Sequence, residues 1–239
     1  MKDNLSAIKT TAILFLQQPI THSDIPGFIF HPIFDYATFY IPDPDTKQIK
    51  MLNLTNNQEL AEARKIVNSK IQKCTDLLQI TMIIRKAYQL TFLKYIEPYL
   101  TITSFSQTLA QAYMRSENPN RDINVSIDDL KKWFCKADKT VLMSKNEYKK
   151  YCELPDILTV YRGIHKDGIK NGLSWTTSRE QAIWFANRFS ERTEYALILT
   201  AEINKCEVYA CFDGRNEQEV ICQPKNYTIE KIKNTKSCQ

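Results

Sequence analysis

Leu158-Thr159-Val160-Tyr161-Arg162-Gly163 is the stretch on which the fold turns. Side chains alternate between two faces along a strand, so Leu158, Val160 and Arg162 fall on one face. That alternation, closed by a glycine, predicts a half-buried strand. Three further runs downstream read the same way: Tyr195 to Ile203, Cys206 to Phe212, and Glu219 to Cys222. One helix is expected among them. Ser178 can cap it, with Gln181 three residues on, and Ala182, Ile183, Phe185, Ala186 and Phe189 form its apolar stripe. The Lys-rich tail after Ile232 is expected to fray.

Upstream of Pro155 the grammar changes. From about Asn56 to Met114 there is no glycine and one proline, Pro98. Apolar residues recur there at helical spacing (Ile66, Ile71, Cys74, Leu77, Leu78, then Met82, Ile83, Ala87, Leu90), which predicts two or three helices. Met82, Tyr88, Phe92 and Tyr95 are read as core. Ser116 to Val125 is polar and carries Pro119, a loop signal. Ser126 with Asp129, and Ser144 with Glu147, have the spacing of capping boxes that open two more helices. The first 50 residues or so are rich in proline and read as irregular, with short strands possible at Phe28–Phe30 and Ala37–Ile41. Helices first and strands afterwards predict an α+β protein: a mainly helical region over residues 1–154 and a compact β-rich core over 155–239.

Composition bounds the function. The chain has 239 residues, long enough for one large domain or two small ones. With 43% hydrophobic and 25% charged residues it is neither disordered nor a coiled-coil rod. No run approaches the roughly 18 to 20 apolar residues of a membrane span, so no membrane partner is expected. The N-terminus lacks the basic, apolar, small-residue layout of a secretory signal. The expected location is the cytoplasm, or a target cell reached by a route the sequence does not show. Seven scattered cysteines without a CxxC pair argue for a reducing compartment. With three scattered histidines they offer no zinc ligand set, so no metal is expected. The net charge is +5, and the excess lies in residues 1–150. It is consistent with an ordinary solvated surface or with a nucleic-acid face.

Three features near the strands could carry chemistry. Arg162 ends an apolar stripe, where a guanidinium needs a partner, and Gly163 leaves room for a backbone or a ligand to approach. Ser174-Trp175-Thr176-Thr177-Ser178 places a hydroxyl cluster before a helix; Ser178 suffices for the cap, leaving Thr176 and Thr177 over. In Arg215-Asn216-Glu217-Gln218-Glu219, two carboxylates stand two residues apart, roughly 6 to 7 Å on one face of an extended chain. They repel unless something cationic or hydrogen-bonding faces them. Arg162 is one candidate. Structural readings remain open for each: an ion pair closing the core, simple capping, and a solvated pair at a strand end.

Taken in order, strand-Arg-Gly, hydroxyl-Thr-Ser before a helix, and Glu-x-Glu opening a late strand resemble the ADP-ribosyltransferase superfamily, in its toxin-like Arg–Ser–Glu branch. The resemblance spans roughly residues 155 to 232 and implies a compact two-sheet catalytic domain with NAD as substrate. Arg162 matches the arginine that holds the NAD phosphates and ribose, a task suited to a bidentate guanidinium. Thr176, Thr177 and Ser178 match the family's Ser-Thr-Ser, whose first hydroxyl braces the catalytic glutamate and lines the nicotinamide pocket; Gly163 lies beside them in the expected NAD site. Thr176 departs from the family's serine, and Ser174 is the alternative if the register differs by two. Glu219 matches the catalytic glutamate. Glu217 matches the residue that orients or deprotonates the acceptor, and glutamate there loosely accompanies modification of arginine side chains.

The resemblance therefore implies mono-ADP-ribosyl transfer from NAD to a macromolecular acceptor, without a metal, in toxin-like or phage-like biology. A toxin acting in its own cell implies an antitoxin partner. RNA or DNA as acceptor, water as acceptor (an NAD glycohydrolase), and a non-enzymatic module retaining the fold are the competing expectations. His165, Trp184 and Phe185 are placed near the cleft or in packing, and Cys222 is read as a buried, inert thiol.

Overall fold

The computed structural model describes residues 2–43, 48–188, 195–214 and 218–233. The chain divides into two compact units, Met1–Asn124 and Val125–Gln239. Both helix and sheet are present, so the protein is α+β. The division falls some way before residue 155, where the sequence changes style. The helices between Ser126 and Cys152 belong to the same unit as the large sheet, because their apolar faces pack on it: Phe134 stacks on Tyr209 at 6.5 Å and meets Phe212 at 6.4 Å.

The first unit opens with helix α1 (Leu5–Leu16), where an irregular start was expected. Asn4 caps it by accepting the Ala7 N–H at 3.1 Å. Ile8, Ala12, Phe15 and Leu16 form its buried stripe at helical spacing, which outweighs the prolines that follow. Two hairpins come next. Strands β1 (Thr21–His22) and β2 (Ile29–Phe30) pair, as do β3 (Thr38–Pro42) and β4 (Ile49–Asn53). Four helices then follow rather than two or three: α2 (Asn57–Lys73), α3 (Leu77–Ile83), α4 (Gln89–Ile96) and α5 (Ile102–Arg115). The extra division comes from caps inside the apolar run. Asn56, Asp76 and Thr101 each accept a main-chain N–H of a new first turn. Of the four residues read as core, Phe92 is fully buried, while Met82 and Tyr95 are each 57% exposed.

The second unit begins with α6 (Ile127–Lys136), α7 (Lys139–Leu142) and α8 (Lys145–Cys152). Ser126 with Asp129 and Ser144 with Glu147 form the two expected capping boxes. The remaining elements are β5 (Ile157–His165), β6 (Ser174–Thr176), α9 (Arg179–Asn187), β7 (Tyr195–Asn204), β8 (Ala210–Phe212), β9 (Glu219–Ile221) and β10 (Thr228–Lys233). The six strands form one antiparallel sheet in the order β10-β7-β5-β6-β9-β8. Its two halves differ in how tightly they are joined. β5 and β7 pair over nine positions, but β5 meets β6 at the single pair Tyr161–Thr176. The two sheets expected from the sequence are therefore one ladder, narrowed to a single residue pair at its middle.

α9 lies on the sheet face of Tyr161, where Ala182 and Ala186 pack with Ala196 and Ile198. Gly163 makes this approach possible: a Cβ there would stand 1.7 Å from the Ala182 carbonyl oxygen. Trp184, expected to pack the helix, is 52% exposed and stacks instead beneath the Arg188 guanidinium at 5.2 Å. Phe189 of the expected stripe lies outside the described residues. β10, for which the sequence reading gave no strand, pairs with β7 over six positions. Among the described residues no helix is long and apolar enough to cross a membrane.

Candidate functional site

β5, β6 and β9 are neighbours in the sheet and bring three distant stretches together. Tyr161 lies opposite Thr176, and Thr176 lies opposite Glu219. Residues directly opposite across antiparallel strands project from the same face. Tyr161, Thr176 and Glu219 therefore form one row, which Phe212 continues on β8. Ser174, the alternative bracing hydroxyl, lies opposite Ile221 instead. Thr176 is buried at 3% exposure, and Glu219 is half-buried at the entrance of its strand.

Arg162 stands one residue beyond Tyr161, so alternation sends its side chain to the other face of β5. Its guanidinium donates to the main-chain carbonyls of Ser174 and of Ile169, the latter at 3.3 Å. A Cβ at Gly172 would lie 2.1 Å from Arg162 Nη2, so the bare glycine is what admits the guanidinium. The structure thus puts Arg162 on the strand next to that of Thr176, and two strands from that of Glu219, but not on their face. Gly163, expected in the NAD site, has its open side taken by the α9 backbone.

The other hydroxyls serve the turn between β6 and α9. Thr176 Oγ1 accepts the Ser178 N–H at 3.1 Å. Ser178 Oγ caps α9 by accepting the Gln181 N–H at 3.1 Å and donates to the Glu180 carboxylate at 3.1 Å. The helix's own first-turn N–H and that hydroxyl hold Glu180 below the usual carboxylate range. Thr177 reaches across to β9: its N–H donates to the Gln218 carbonyl at 3.4 Å and its Oγ1 to Gln218 Oε1 at 3.2 Å. Glu217 lies outside the described residues.

Three features here escaped the sequence reading. Gln218 has φ +47°, the only positive φ among described non-glycine residues. Such a backbone costs on the order of 1–2 kcal/mol, and it immediately precedes Glu219. Asp213 accepts the Gln218 N–H at 3.2 Å and pairs with Lys150 of α8. Glu147, buried, spans the α8 capping box and the Asp213 N–H, at 2.8 Å each. A cleft of about 440 Å³ opens beside these residues, lined by Asn146, Lys149, Glu153 and Gly214 among others. Only the positive φ leaves no trace in composition; the pairings are contacts between segments far apart in the chain. Cys222 is buried as expected, and desolvation pushes its thiol well above the ordinary value.

Comparison with protein-family models, with curated proteins and with solved structures gives no match. Among the described residues no cluster of His, Cys, Asp and Glu is placed to hold a metal ion. What the site offers chemically is a carboxylate with a buried hydroxyl opposite it; Arg162, on the neighbouring strand β5, faces the other way.

Proposed function

We propose that the second unit transfers ADP-ribose from NAD to a macromolecular acceptor, in the manner of the ADP-ribosyltransferase superfamily that its motifs resemble. One observation carries the reading. Thr176 and Glu219, separated by a helix and two strands in sequence, stand directly opposite each other on neighbouring strands, beside the strand that bears Arg162. This pairing supports the reading because it sets the motif hydroxyl and the motif carboxylate on one face, as the resemblance implies.

In this reading the bond between nicotinamide and ribose breaks, nicotinamide leaves with the electron pair, and a cation develops on the ribose. Glu219 supplies fixed negative charge for that cation, which is worth most where water is partly excluded. The acceptor's nucleophile takes the ribose carbon and releases its proton. Thr176 holds the row beside the carboxylate; the phosphate-binding role of Arg162 comes from the resemblance alone, since its guanidinium lies on the other face of β5 and donates to the Ser174 and Ile169 carbonyls. Thr177 and Ser178 act by shaping the turn. Glu217 retains the acceptor role that the resemblance gives it. No metal has a part in this sequence of bonds.

The test is incubation of the wild-type protein and Glu219→Gln with labelled NAD and a whole-cell lysate, with and without nuclease. Label on protein or on nucleic acid, lost in the variant, supports transfer and reports the acceptor class. Free ADP-ribose alone assigns water as acceptor. No NAD consumption by the wild type rejects the reading.

A further inference from the structure

Gln218 is held in its left-handed conformation from three sides. Its N–H donates to Asp213 Oδ1, its carbonyl accepts from the Thr177 N–H, and its side-chain oxygen accepts from Thr177 Oγ1. The Thr177 contacts come from the β6–α9 turn, already fixed by the α9 cap. The Asp213 contact comes from the residue after β8, and Asp213 is itself gripped twice by α8. Glu147 accepts its N–H at 2.8 Å, and Lys150 pairs with its carboxylate. Glu147 and Lys150 lie three residues apart on one face of α8, so one helix holds both the main chain and the side chain of Asp213. The Glu147 carboxylate is buried and divides its oxygens between Ser144 and Asp213, which fixes the anchor to the helix N-terminus.

A left-handed residue turns the chain sharply, and Glu219 enters β9 on the very next bond. The direction of the Glu219 side chain is thus set by the conformation of Gln218. We infer that Asp213, clamped by Glu147 and Lys150 of α8, is a positioning residue for Glu219: it holds Gln218 left-handed and thereby aims the carboxylate along the row of Thr176. The inference rests on the proposed role of Glu219 in NAD cleavage. The Lys150 ammonium and the Gln218 N–H both hold the Asp213 carboxyl below its ordinary range, which keeps the clamp charged at neutral pH.

The test compares full-length wild type, Asp213→Ala and Asp213→Asn in NAD cleavage, with amide hydrogen exchange at Gln218 and Glu219 followed in parallel. Misaiming a reacting group lowers turnover more than ground-state binding, so Asp213→Ala is expected to lower kcat roughly tenfold or more with KM for NAD nearly unchanged. Asp213→Asn keeps an acceptor oxygen for the Gln218 N–H and is expected to stay within about threefold of wild type in kcat, because a neutral acceptor still makes that bond. A loss of packing alone would lower both variants' thermal midpoints without separating kcat from KM. A kcat for Asp213→Ala within about twofold of wild type overturns the inference. If the wild type does not cleave NAD, the proposed function fails on its own, and exchange then decides the clamp: faster exchange at Gln218 and Glu219 in Asp213→Ala upholds it, and unchanged exchange overturns it.

Discussion

Thr176 and Glu219 face each other across β6 and β9, and Tyr161 of β5 completes the same row. Among the described residues Tyr161–Thr176 is also the single paired position between β5 and β6, where the two halves of the large sheet join. Glu219 stands one strand from that junction, at the start of β9 between Thr176 of β6 and Phe212 of β8. Three half-buried or buried side chains in one line give a fixed charge a defined direction, the condition for electrostatic stabilisation of a developing cation.

Glu219→Gln removes the charge while keeping size and hydrogen-bonding capacity. NAD cleavage is expected to fall roughly 100-fold or more, while the thermal midpoint moves by no more than a few degrees, because Glu219 sits at a strand entrance and not in the core. Steady-state nicotinamide release, with a melting curve for each protein, checks both halves of the expectation. A large drop in stability with activity preserved per folded molecule would assign Glu219 to structure.

Arg162 joins β5 to the start of β6 and to the segment before it by donating to the carbonyls of Ser174 and Ile169. Arg162→Met keeps much of the apolar stem but leaves both acceptors without that donor. The expected loss is about 2 kcal/mol in urea denaturation of the second unit, together with a raised KM for NAD if the guanidinium also serves the phosphates. Arg162→Lys is expected to recover only part of either effect, because an ammonium cannot span both carbonyls as a fork does.

The two glycines of this region should respond differently to alanine. At Gly163 the added carbon meets a helix main chain, the Ala182 carbonyl at 1.7 Å, which cannot yield without moving α9. Gly163→Ala is expected to cost about 3 kcal/mol or more. At Gly172 the added carbon meets the end of a long side chain, Arg162 Nη2 at 2.1 Å. The guanidinium can swing away, so Gly172→Ala is expected to cost about 1–2 kcal/mol and to copy the kinetic effect of Arg162→Met. Chemical denaturation of both variants tests the order.

What could be read in the sequence was local. The Ser126 and Ser144 capping boxes, the Ser178 cap and the strand read at Leu158–Gly163 each depend on residues within a few positions of one another; the caps form, and the strand forms within the longer Ile157–His165. The first helix was hidden because its apolar stripe, Ile8 to Leu16, is short and followed by prolines that weigh on composition but not on residues 5–16. Nothing local encodes the packing of Arg162 on Gly172, since the space exists only when the loop folds back. The register that sets Thr176 against Glu219 was suggested by motif order but fixed by strand pairing. The positive φ of Gln218 comes from tertiary bonds to Asp213 and Thr177, on a residue type with no preference for that conformation.

His31 gives the first unit a pH dependence of its own. It is fully buried, and its Nδ1 accepts the N–H groups of Ile33 and Phe34 at 3.0 and 3.1 Å, a role that requires an unprotonated nitrogen. Desolvation, with the nearby charges of Arg64 and Arg85, lowers its pKa to about 4. In the unfolded chain it titrates near 6.5. Between these values the unfolded chain takes up a proton that the native state refuses, so stability falls as the pH drops from about 6.5 toward 4. The full shift corresponds to roughly 3 kcal/mol. Below about pH 4 the native imidazole charges as well, and this contribution levels off. His31→Asn replaces Nδ1 with an amide oxygen that does not titrate in this range. Urea denaturation of wild type and His31→Asn at intervals from pH 7 to 4 should show the difference in unfolding free energy between them changing steadily below pH 6.5, with the variant losing less stability on acidification. Parallel curves for the two proteins would show that His31 is not the group responsible.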